Sequence, residues 1–118
     1  MFKVVFLLKK KAGMSPEAFR AYYEGTHAKL GERVVPTAER YFRRFLTPFP
    51  PPAPGQMVDS DVDVITELWF KDRAAFDAAM QELQEPAIAA EIAADEENLF
   101  DRSKIRAFTV EEYESPRR

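Results

Sequence analysis

An α+β fold class is predicted by three features of the sequence: strand-like and helix-like runs in the order β-α-β then β-α-α-β, a proline-rich break between the halves, and strands with apolar alternation. That order is that of a ferredoxin-like four-stranded antiparallel sheet with helices on one face. One domain over residues 1–118 is expected, since 118 residues lies near the commonest domain length. A hydrophobic fraction of 46%, with ten phenylalanines, is enough for a packed core and argues against disorder.

Residues 2–8 are β-rich and apolar, and Lys9, Lys10, Lys11, Ala12 and Gly13 lead the chain into a turn. The apolar run Val4–Leu8 is too short for a signal-peptide core or a membrane span, so it reads as a buried strand in a cytoplasmic protein with no membrane partner. Ser15 then stands as a helix N-cap, with Pro16 at the first helical position and Glu17 near the positive end of the helix dipole. Phe19, Tyr23, His27 and Leu30 fall at i, i+4, i+8 and i+11, on one stripe. Gly25 costs this helix about 1 kcal/mol relative to alanine, which predicts either a close backbone contact or a helix irregularity.

Residues 38–47 alternate as a second strand, with Tyr41 and Phe45 on one side and Phe42 and Leu46 on the other. Five prolines in residues 48–54 remove the amide donors a sheet needs, so 48–60 is expected to be an extended loop over a site or along a partner subunit. Residues 61–70 are the best strand, with Val62, Val64, Thr66, Leu68 and Phe70 on one face and Asp63, Ile65, Glu67 and Trp69 on the other. Asp72 caps a helix whose stripe is Phe76, Ala79, Met80 and Leu83. Pro86 restarts a helix expected to carry Ile88, Ile92 and Leu99. Residues 104–113 close the chain as a fourth strand, and 114–118 is expected to fray.

A formal charge of −3 and a pI near 5.3 provide no basic field, so nucleic acid is not an expected partner. The absence of cysteine excludes disulfides, thiolate metal sites and cysteine nucleophiles. One histidine among scattered carboxylates offers no metal-ligand spacing, and neither a phosphate-binding glycine loop nor a serine-nucleophile motif is present. No metal and no cofactor are therefore expected. Helices on one face leave the aromatics of strands two and three on the other, and a second copy of the chain would bury them. A homodimer with an apolar pocket between sheet and helices is the expected assembly.

The stretches FLLKKKAGMSPEAFRAYYEGTHAKL, VITELWF and DRSKIRAFTVEE resemble the EthD family of the dimeric α+β barrel superfamily. They span most of the chain apart from the proline loop. The resemblance implies this fold and dimer, in a superfamily that includes polyketide cyclases, lactone isomerases, cofactor-free monooxygenases and haem-using enzymes. His27 stands where the family has its Thr-His pair.

Histidine is the side chain that exchanges protons near neutral pH without large tuning, so His27 is the candidate general acid/base toward an aromatic or polyketide-like ligand. Glu67, in the middle of an apolar strand, needs a partner: either it orients His27, or it pairs with Arg106, Arg40, Arg43 or Arg44. Tyr22, Tyr23, Tyr41 and Trp69 are candidate ligand-binding residues, with core or interface packing as the other reading. A non-catalytic binding or interaction protein, with His27 structural, is one rival function. A haem-binding oxidoreductase with His27 as axial ligand is another.

Overall fold

The computed structural model describes residues 1–56 and 58–117. Met57 of the expected loop and Arg118 of the expected frayed tail lie outside them. Four strands, β1 (Phe2–Leu8), β2 (Arg40–Phe45), β3 (Val64–Phe70) and β4 (Arg106–Thr109), form one antiparallel sheet in the order β2-β3-β1-β4. This is the ferredoxin-like arrangement, with β1 and β3 paired at the centre from Phe2↔Phe70 to Leu8↔Val64.

Alternation along β3 is as read from its sequence: Val64, Thr66, Leu68 and Phe70 are buried under the helices, and Ile65, Glu67 and Trp69 are half-buried on the opposite face. The strand starts at Val64, so Val62 is not part of it. β4 is shorter than the expected 104–113, because its partners on β1 run only from Val4↔Thr109 to Leu7↔Arg106. Residues Arg102–Lys104 are a 3-10 turn instead, with the Asp101 side chain accepting the Ser103 N–H at 3.1 Å.

The first helical region has three parts: α1 (Pro16–Tyr22), a π turn (Tyr23–His27) and α2 (Ala28–Val34). Ser15 caps α1 by accepting the Ala18 N–H at 3.1 Å. The Ala28 N–H donates to the Tyr23 carbonyl five residues back, which inserts one extra residue into the helix. Burial registers the insertion: Phe19 and Tyr23 are four apart, whereas the next fully buried position is Ala28, five further on. His27 is thereby turned from the centre of the stripe to its edge, where it is half-buried. Of the two explanations for Gly25, the irregularity holds, since a Cβ there would meet nothing within 4 Å.

Asp72 caps α3 (Arg73–Glu82) by accepting the Ala75 N–H, and Glu85 caps α4 (Pro86–Glu96) by accepting the N–H groups of Ala87 and Ile88. α4 ends before Leu99, contrary to the sequence reading. The N–H groups of Leu99 and Phe100 both turn back to the Glu96 carbonyl, which drops these two apolar side chains into the core. Among the described residues no helix is long and apolar enough to cross a membrane.

Gly31 of α2 packs tightly against β2: a Cβ there would lie 2.7 Å from the Tyr41 hydroxyl and 2.9 Å from its ring. The two helical glycines therefore have opposite expected behaviour in thermal or urea unfolding. Gly25→Ala is expected to stabilise by up to about 1 kcal/mol. Gly31→Ala is expected to destabilise by about 1–3 kcal/mol, because Tyr41 must be displaced.

Candidate functional site

Between the helix-covered face of the sheet and the helices lies a cavity of about 170 Å³. Its floor is Phe6 and Leu8 of β1, Tyr41 of β2, and Thr66 and Leu68 of β3. Its walls come from the first helical region, which supplies Tyr23, His27 and Leu30, and from Ile92 and Glu96 of α4. The lining is apolar except at a few points, the pattern of a small-molecule site.

His27 is held on three sides. Its Nδ1 is 2.7 Å from Oδ2 of Asp95, and both side chains are 12% exposed. Its ring meets Tyr23 and Phe100 edge-on, at centroid distances of 5.1 and 5.2 Å. With Nδ1 engaged by the carboxylate, Nε2 is the nitrogen left for proton exchange. Asp95 also accepts from the Tyr22 hydroxyl, which in turn accepts from Asn98 at 3.0 Å. Burial pushes the Asp95 carboxyl up, but the hydrogen bonds from Tyr22 and His27, the charge of His27 and Asn98 together outweigh it. The net result holds Asp95 below the ordinary carboxylate range.

Tyr23 donates to or accepts from Thr66 Oγ1 at 2.5 Å beneath the cavity, and burial pushes its phenol far up. Tyr41 is shifted up as well, again by burial first. Both phenols are therefore neutral hydrogen-bonding groups near neutral pH. Glu96 behaves unlike its neighbour Asp95: burial raises it, and the opposing pull of Arg102 and His27 is weaker.

Of the residues singled out in the sequence, the fold brings His27, Tyr23 and Tyr41 to the cavity. Glu67 is not there. It points from the opposite face of β3, where its carboxylate accepts from Arg44 at 2.8 Å and from the Trp69 indole at 2.9 Å. The arginine-pair alternative is thus the one observed, and Arg44, not Arg106, is the partner, because β2 lies beside β3 whereas β4 lies beyond β1. Trp69 is also on the far face, against Phe42 and under the Lys3 ammonium. Tyr22 lies outside the cavity and is linked through Asp95 to His27.

Asp95 is the residue that sequence reasoning missed. The signal was available, since Asp95 continues the Ile88–Ile92 stripe at i+7 and i+3, a carboxylate on an apolar face. Among the described residues of the proline loop, none lines the cavity. Among the described residues no group of three or more His, Asp or Glu is placed to hold a metal ion.

The EthD-domain family model matches residues 11–103. The chain belongs to the EthD family. No curated protein matches the sequence. Among solved structures, an EthD-family protein from Bacillus halodurans is similar over 96% of this chain and 100% of that one, at 19% identity and a TM-score of 0.63. The Arabidopsis thaliana protein At3g17210 is similar over 98% of this chain and 99% of that one, at 18% identity and a TM-score of 0.64. HapK from Hahella chejuensis is similar over 100% and 98%, at 13% identity and a TM-score of 0.60. At these identities the likeness is one of fold, and this EthD domain's chemistry must be argued from its own cavity.

The two neighbouring carboxylates have opposite pH signatures. Asp95 lies below its ordinary value of 3.8 in the folded state, so its stabilising contribution is present above that value and is lost as acidification passes its folded pKa. Glu96 lies above its ordinary 4.5, so stability falls as pH rises from there through its folded pKa. In urea-unfolding series against pH, Asp95→Asn is expected to flatten the acid limb. Glu96→Gln is expected to be more stable than the parent near neutral pH.

Proposed function

We propose that this EthD-family protein is a homodimeric enzyme that moves a proton on a small hydrophobic molecule seated in the cavity, with His27 as acid/base. The observation that carries this reading is His27 at the cavity wall, held at Nδ1 by Asp95 from behind the lining. An aspartate on Nδ1 fixes the tautomer and stabilises the imidazolium that forms when Nε2 takes a proton from an acidic C–H or phenolic O–H. The electron pair left on the ligand delocalises into its carbonyl or ring, the Tyr41 phenol donates a hydrogen bond to that charge, and the imidazolium later returns the proton. No electrons leave the ligand, so no redox partner is needed.

A volume of about 170 Å³ holds about one aromatic ring, since an engineered apolar cavity of about 150 Å³ binds benzene. A polyketide-like ligand would seat one ring and extend outward. A porphyrin, with four pyrroles in one plane, is larger than this volume, which weighs against the haem alternative.

The dimer rests on the uncovered sheet face. Phe42 and Trp69 lie together there at 5.1 Å, and Phe108 of β4 is 47% exposed. A second copy is the partner of matching chemistry, because a twofold contact sets the same aromatics against each other.

Phenylacetone, a one-ring ketone with an acidic benzylic C–H, probes the chemistry. In deuterium oxide the protein is expected to accelerate label incorporation at that carbon, His27→Gln to slow it about 100-fold or more, and Asp95→Asn about 10-fold or more with binding retained. Label incorporation at the parent rate by a folded His27→Gln variant would exclude His27 as the base. Sedimentation is the check on assembly: the parent is expected to run as a dimer and Trp69→Glu as a folded monomer.

A further inference from the structure

Among the described residues that line the cavity, Glu96 is the one carboxylate, and no lysine or arginine stands with it. Its ion partner is outside: the Arg102 Nε remains 3.5 Å away, while the Arg102 Nη1 is engaged by Glu97 at 3.1 Å. A charge-assisted hydrogen bond is shorter, about 2.7–2.9 Å, so the Glu96 carboxylate has acceptor capacity that its protein partner leaves unfilled. Such a group in an apolar cavity favours a ligand that donates to it and opposes one that brings a second negative charge.

The neighbouring charges reinforce this. Asp95 and a protonated His27 cancel, and with neutral His27 the pair is negative; an ionised Glu96 adds a further negative charge, offset in part by Arg102 at 3.5 Å. An anion arriving from water therefore meets no lysine or arginine among the described lining residues to compensate it. Proton transfer from a bound neutral ligand to His27 is different, because it separates charge within the cavity without adding any.

We infer that Glu96 is the specificity-determining residue of the cavity: it selects uncharged one-ring ligands that carry a hydrogen-bond donor and turns anionic ligands away. The inference rests on the cavity being the binding site, and the test separates the two.

Toluene, benzyl alcohol and benzoate share one ring and differ only in the group that would face Glu96. Titrated near neutral pH into the full-length protein by calorimetry or NMR, benzyl alcohol is expected to bind more tightly than toluene, and benzoate about tenfold or more weaker than benzyl alcohol. Glu96→Gln is expected to narrow the gap between alcohol and benzoate. If benzoate binds parent protein as well as benzyl alcohol does, or a folded Glu96→Gln variant keeps the parent's discrimination, Glu96 does not set specificity, while the cavity reading stands. If neither toluene nor benzyl alcohol binds, the cavity reading fails and the role of Glu96 with it.

Discussion

The bond between His27 and Asp95 is the contact on which the site depends. It joins the first helical region to α4, two segments far apart in the chain, beside the cavity they both wall. A carboxylate 12% exposed is costly unless its lone pairs are satisfied, and here Tyr22 and His27 satisfy them from one side of the joint. The aspartate thus holds the imidazole and draws the helices together. The π turn makes this possible, because the inserted residue keeps Tyr23 under the helix while rotating His27 toward α4.

The sheet divides the labour between its faces. On the helix side Val64, Thr66, Leu68 and Phe70 give a floor that is apolar except for the Thr66 hydroxyl, and Tyr23 satisfies that hydroxyl. On the other side the same strand presents Ile65, Glu67 and Trp69, with Glu67 bound to both Arg44 and the indole. Charge on that face is neutralised locally and the aromatics remain available for packing. Placing Glu67 and Asp95 on opposite sides of the sheet separates a carboxylate that holds the surface together from one that serves the cavity.

Much of this was legible in the residues. Caps at Ser15 and Asp72, Pro16 and Pro86 at helix starts, and period-two alternation in 64–70 are local signals, set by bonds and sterics within a few residues. His27, Tyr23 and Tyr41 were recognisable as inward groups because each lies on an apolar stripe or strand face. For Glu67 the residues left two readings open, support of His27 or a pair with an arginine, and its neighbours across β2 decided for Arg44. The ends of α4 and β4 were overextended, since an apolar residue such as Leu99 looks the same whether it ends a helix stripe or fills the core from a turn.

The sequence by itself determined the class of fold, the order of its elements and the one side chain suited to proton exchange near neutral pH. Those follow from periodicity, capping chemistry and residue type, which act over short stretches of chain. Only the tertiary structure decided that Asp95 partners His27, that Glu96 is among the cavity's lining residues, that Tyr41 closes against Gly31, and that Trp69 belongs to the opposite face. Those are meetings between residues tens of positions apart, and they depend on how helices pack across the sheet and on the single residue inserted at the π turn.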